Sequence, residues 1–381
     1  VRPANQGHRA GPHAQAAAAL ARRLESTREG RIALAEATRV RNNPDLELLS
    51  TCRERCIHQD RYRVVGASFS ICCESEEAAE RIRPFLATFW QDQPLNEVSL
   101  APLYVLGDGR RGYRVVNCAG RSIQSPWWQV AFSYLFSMMH AQLWSASARL
   151  LPLHSAAVSI GGQGLLLPGD SGQGKSTLAL ELAIHGCDYL SDEFAPICLS
   201  TGQVLPYPRP LQISQEAASL LLDGLVAPGL SEAAFLDDEG AERRLLDPRA
   251  ALSLGEAAPV RHIIVLEGFA ENASLAHLSK AEALGRLSAS AIVYQTSAAW
   301  KKAAVKTLTN LVENAGCHAL RLGPIGANHA VLKDLASSDP QETTGREAEE
   351  REELKLLASR IQELLSSREP CDVRTSRVRG G

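Results

Sequence analysis

Gly169-Asp170-Ser171-Gly172-Gln173-Gly174-Lys175-Ser176 reads G-x-x-x-x-G-K-[ST], a spacing whose chemistry is the holding of a polyphosphate. Glycines let the backbone curl until successive N–H groups converge on phosphate oxygens, and a following helix adds the positive end of its dipole. In such a loop Lys175 neutralises the β- and γ-phosphates, Ser176 offers a hydroxyl to Mg²⁺, and Thr177 supplies a second hydroxyl at the helix start. Asp192 and Glu193 follow Lys175 by 17 and 18 positions. One helix and a short returning strand fit that interval. They would bring the chain back beside the strand feeding the loop, with both carboxylates near the metal and the terminal phosphate. One acid then holds the metal with Ser176, and the other accepts the proton of an attacking hydroxyl; the residue types alone leave either acid, Asp192 or Glu193, in either part. If the segment is extended, the two side chains point to opposite faces. The chain has no N-K-x-D and no L-S-G-G-Q. Its short interval from loop to acids favours phosphoryl transfer over mechanochemical hydrolysis.

The elements around this loop alternate as in an α/β core. Short strands are predicted at 156–160 and 164–168, before the loop, and at 189–191 after it. The helix from Lys175 ends at Gly186, a plausible C′ residue. Further on come a strand at 260–266, a helix opened by the capping box Ser279-x-x-Glu282, a helix at 298–314, a strand at 318–322 and a helix at 328–335. Upstream, Pro126 and the proposed cap Ser125 open a buried helix through Trp144. Before it, an apolar run at 64–73, a helix capped by Ser75 and strands at 98–106 and 112–117 form a small α+β domain, with the turn at Gly107-Asp108-Gly109. The predicted organisation is a tail over 1–45, this accessory domain over 46–125, the phosphate-binding domain over 126–338, and a charged helix with a basic tail over 339–381.

At 381 residues, with 45% apolar and 22% charged residues and a net charge of −3, the composition points to neither nucleic acid nor membrane. Nine cysteines without a framework spacing read as reduced thiols of a cytoplasmic protein. Cys52, Cys56, His58, Cys72 and Cys73 are zinc-ligand types at an unfamiliar spacing, and ordinary buried thiols are the favoured reading. The charged C-terminal helix carries Leu354, Leu357, Ile361, Leu364 and Leu365 as a docking stripe.

The stretch 154–197 resembles the catalytic core of HPr kinase/phosphorylase. More closely it resembles the HPr-kinase-related proteins of peptide-modification gene clusters, which include lasso-peptide precursor kinases. A His before the first strand (His154), the loop G-D-S-G-Q-G-K-S, Ala179-Leu180-Glu181-Leu182, Gly186 and the acidic pair carry the likeness. The resemblance implies a phosphate-loop core like the HPr kinase C-terminal domain and PEP carboxykinase, phosphorylation of a serine, and His154 near the phosphates. Asp192-Glu193 stands where HPr kinase has Asp-Asp, so the resemblance places Asp192, at the first Asp, beside the Ser176-bound Mg²⁺ and aligns Glu193 with the proton acceptor; Thr177 replaces a Glu.

Arg209, in Tyr207-Pro208-Arg209-Pro210, and Arg243 and Arg244 are candidate clamps for acceptor or phosphate. Glu267 is a candidate second metal-facing acid. The expected activity is an ATP- and Mg²⁺-dependent kinase acting on a peptide or small protein, with a ribosomal-peptide precursor as the acceptor the resemblance suggests. A homo-oligomer is compatible with this. A small-molecule kinase and a nucleotide-dependent regulatory or scaffold protein stand as alternatives.

Overall fold

The computed structural model describes residues 39–41, 43–89, 98–222, 228–231, 235–236, 242–333, 335 and 347–367. The N-terminal tail before Arg39 and the basic segment after Ser367 lie outside them. Among the described residues the architecture is mixed α/β, with three sheets.

The first sheet runs β1 (Arg39–Arg41), β7 (Ser122–Ser125), β6 (Gly112–Val116), β5 (Leu103–Asp108), β3 (Ala67–Cys73), β2 (His58–Val64), with β4 (Val98–Ser99) also on β3. Side chains alternate across it as strand geometry demands. Cys72, Tyr104, Leu106 and Val116 meet Leu48, Leu49 and Cys52 of the helix Leu46–Arg55 on one face. Ile71, Cys73, Leu103 and Val105 meet Ile82 and Leu86 on the other.

Three local readings shift here. The run at 64–73 is the turn and second strand of a hairpin over 58–73, because Val65 and Gly66 take φ of 43° and 80° and reverse the chain. The second turn falls at Gly109–Arg111 instead of Gly107–Gly109, with the Asp108 carboxylate accepting from the Arg110 and Arg111 amides. Residues 39–41, read as tail, add a strand to β7.

The helix Trp128–Ala146 joins this sheet to the rest. It starts two residues later than Pro126 suggested, with Trp127 at the cap position and Ser125 ending β7. Leu135, Met139, Leu143 and Trp144 share one apolar cluster with Phe69 and Val115 on one side and Phe194 and Tyr207 on the other. His140 is buried there, its Nε2 2.7 Å from the Tyr207 hydroxyl. Burial first, and the Arg209 charge second, push the imidazole down to about 3. An imidazole held neutral stabilises the fold above its ordinary value near 6.5 and loses that contribution as pH falls toward the depressed value. Thermal unfolding followed from pH 7 to pH 4 is therefore expected to show a steep loss, on the order of 3 kcal/mol over that window. In His140→Gln that slope should flatten; equal slopes in the two proteins would remove His140 as its source.

The central sheet runs β10 (Asp188–Ser191), β8 (Leu150–Ile160), β11 (Phe194–Cys198), β12 (Gln203–Val204), β16 (Ala258–Phe269), β18 (Gly316–Leu322), β17 (Ser274–His277). β9 (Gln163–Pro168) pairs antiparallel with β8 and parallel with β16. Leu166, Ile263 and Val265 face one helical layer, Lys280–Ala289 and Ala298–Asn314. Leu165, Leu167, Ile264 and Leu266 face the other, which holds the helix Lys175–Ile184. The C-terminal helix Glu347–Ser367 docks on the first layer through Leu354 and Ile361, each burial contributing about 1.5–3 kcal/mol. Leu364, from the same predicted stripe, is exposed. A small sheet of β13 (Leu211–Ser214), β15 (Glu242–Leu246) and β14 (Phe235–Leu236) lies beyond. No helix among the described residues is long and apolar enough to cross a membrane.

Candidate functional site

β9 ends at Pro168, and Gly169–Gly174 carries the chain into the helix Lys175–Ile184. Gly172 and Gly174 take φ of 81° and 82°, which side-chain-bearing residues rarely adopt. Gly174 is the helix N-cap and has no side-chain capping bond, so the leading amides of the helix are left to an anion. Lys175 is buried, its Nζ donating to the Gly169 and Asp170 carbonyls at 2.8 and 2.9 Å. The Gln173 side chain accepts from the Asp170 amide at 2.8 Å and braces the loop.

A cleft of about 410 Å³ opens over this loop. Ser171, Gly172, Gly174, Lys175, Ser176 and Thr177 form its floor, and His154, Asp192, Glu193, Arg209 and Arg243 also line it. These expected site residues thus line one cleft. The strand bringing the acids differs from expectation: β10 pairs with β8, not with β9, so β8 lies between the acids' strand and the strand feeding the loop. β8 itself carries His154, opposite Phe194 in the ladder, and the Ser155 amide donates to the Glu193 carbonyl at 3.1 Å.

Asp192 and Glu193 sit at a bend between β10 and β11, so they do not face opposite sides as an extended pair would. Both meet Arg209. Its Nε donates to Asp192 Oδ1 at 3.1 Å, and its Nη2 lies 2.6 Å from Glu193 Oε2. Burial opposes the Arg209 charge, but the two carboxylates outweigh it and raise its pKa above the ordinary value. The Tyr189 hydroxyl adds a bond to Asp192 Oδ1 at 3.1 Å. The Asp192 side chain is fully enclosed, whereas that of Glu193 is 30% exposed. Arg209 is placed by its loop: Tyr207, two residues before it, is buried against His140, Phe194 and Trp144. The guanidinium therefore organises the acids, a different part from the clamp on acceptor or phosphate expected of it.

Arg243 lines the cleft from β15, next to Ser214 of β13, but Arg244 does not, as alternation along a strand requires. Glu267 is exposed and is not among the lining residues. The cysteine and histidine set at 52–73 makes no metal centre: Cys52, Cys72 and Cys73 are buried with their thiols pushed up by burial, and His58 pairs with Glu76.

Sequence reading named Glu181 only within a motif, yet it closes one wall. Its buried carboxylate accepts from the Gly326 and His329 amides and from Asn328 Nδ2 at 2.8–3.0 Å, holding the segment that follows β18 against the cleft. The signal was present as one acid between Leu178 and Leu182 on a helix otherwise apolar on that side.

No group of three or more His, Cys, Asp or Glu side chains among the described residues could hold a metal ion by itself. The oxygen donors at hand, the Ser176 hydroxyl and the carboxylates of Asp192 and Glu193, fit Mg²⁺, which binds through one or two carboxylates and completes its shell with water and substrate phosphates.

No protein-family model matches the chain, and no curated protein sequence does. Among solved structures it is similar to the Hpr(Ser) kinase/phosphatase from Coxiella burnetii, at 11% identity, over 48% of this chain and 95% of that one, with a TM-score of 0.24. A likeness of that degree is a distant one, and the chemistry of the cleft is read from its own residues.

Proposed function

We propose that the protein is an ATP- and Mg²⁺-dependent kinase that transfers the γ-phosphoryl group to a serine hydroxyl of a peptide or small protein, in the cytoplasm. One observation carries this reading: a glycine loop with an uncapped helix N-terminus and a buried lysine shares a cleft with a carboxylate pair held by one arginine. Amides and Lys175 suit a polyphosphate, and an acid able to reach solvent suits a hydroxyl proton.

The helix amides and Lys175 bind and orient the phosphates. Ser176 and Asp192 would hold Mg²⁺, which when bound would supply charge neutralisation on the phosphate oxygens. The serine oxygen forms its bond to the γ-phosphorus as the bond from that phosphorus to the β–γ bridging oxygen breaks, and ADP departs with the electron pair. Glu193 takes the serine proton. Arg209 keeps both carboxylates in place, and His154 stands on the same wall, beside Glu193. A peptide acceptor, with a lasso-peptide precursor as the first to try, follows from the sequence resemblance. Arg243, Gln212, Ser214 and Glu216 offer it a polar wall.

Arg209 engaging both acids is also what a nucleotide-controlled scaffold without catalysis would display. Intact-mass measurement of precursor peptides incubated with the protein, ATP and Mg²⁺ decides between them. A gain of one phosphoryl group on serine, absent without ATP, is the expected result. ATP binding with no transfer to any peptide or small molecule would leave the scaffold reading.

A further inference from the structure

We propose that Phe269 and Ile325 form a platform for the base of a purine nucleoside triphosphate whose phosphates lie on Gly169–Ser176. The proposal rests on the nucleotide reading above. β16 changes register between Leu266 and Phe269, and Gly268, at φ 97°, lets the strand turn there. The result is an apolar ring 69% exposed on the rim of the cleft. It abuts the phosphate loop: a Cβ on Gly174 would meet Phe269 Cε1 at 3.5 Å and Leu322 Cδ1 at 2.9 Å. Ile325, half-buried, lines the same end of the cleft from the segment that Glu181 holds.

The two ends of the cleft differ in chemistry. Asp192, Glu193 and Arg209 come from the β10–β8–β11 side of the loop strand, while Phe269, Leu322, Gly323 and Ile325 come from the ends of the parallel strands β16 and β18 on its other side. A ligand with its terminal phosphate toward the acids must extend its other end over Phe269 and Ile325. Crevices at the carboxyl ends of parallel strands are where such ligands lie. A flat, apolar-faced group covers an exposed ring at no polar cost, and a nucleobase is that group. Asn328 has its amide committed: Nδ2 donates to Glu181 and to the Pro324 carbonyl, and Oδ1 accepts from the Gly323 amide. The platform consequently recognises the base by its face, so adenine and guanine bind alike and the smaller pyrimidines less well.

Calorimetric titration of the full chain with ATP and with inorganic tripolyphosphate tests this. Phe269→Ala is expected to weaken ATP by about tenfold or more, the worth of a base–aromatic stack, while tripolyphosphate changes by less than about twofold. Phe269→Trp should keep ATP binding, with an emission change on adding ATP that tripolyphosphate does not cause. Unaltered ATP affinity in Phe269→Ala, or equal loss of both ligands, would overturn the platform and leave the phosphate site standing. A wild-type chain that binds neither ligand would overturn the nucleotide reading and the platform with it.

Discussion

Lys175→Ala is expected to lower phosphoryl transfer by at least about a thousandfold, the largest single effect at this site. The ammonium sits on the loop floor where charge builds on the moving phosphoryl group, and a preorganised charge in a sheltered cleft acts mainly on the transition state. It also ties the Gly169 and Asp170 carbonyls, so some loop bracing goes with it. Single-turnover transfer measured beside thermal unfolding separates the two. A variant that unfolds near the wild-type temperature yet transfers normally would end the phosphate-loop mechanism.

Glu193→Gln and Asp192→Asn should differ in kind. Glu193 reaches the cleft, so its amide is expected to keep ATP affinity and slow transfer by about 10²–10⁴. Asp192 is enclosed and shares Arg209 with Glu193; its amide leaves a buried guanidinium short of counter-charge, at a cost on the order of 3 kcal/mol in stability as well as in metal use. Mg²⁺-dependent ATP affinity, transfer rate and unfolding temperature for each variant make the comparison. Full transfer by Glu193→Gln with complete loss in a folded Asp192→Asn would move the base to Asp192, and normal transfer in both would defeat the acidic-pair assignment.

What the residues announced in advance was local. The helix Ala298–Asn314 falls where its periodicity put it, and the capping box at Ser279 and Glu282 forms as its spacing requires. The loop joining β9 to the helix at Lys175 needs only glycines in positive φ and a helix start, and all of that lies within ten residues. Boundaries slipped where a competing signal sat close by. Ser125 could cap a helix or end a strand, and pairing with β6 took it for the strand. Val65-Gly66, inside an apolar run, gave no polar turn signal, yet two positive φ values fold it back.

The sequence by itself determined the glycine loop, its helix and a nearby acidic pair, because backbone conformation and short spacing are written in neighbouring residues. Only the tertiary structure decided that Arg209 lies between those acids, that Arg243 and not Arg244 meets the cleft, that Glu181 holds its wall, and that Phe269 stands exposed against Gly174. Each of those depends on a partner from another strand or helix, many of them far away in the chain. Which partner meets which is set by sheet order and by the packing of the helical layers, and no local pattern of side chains encodes it.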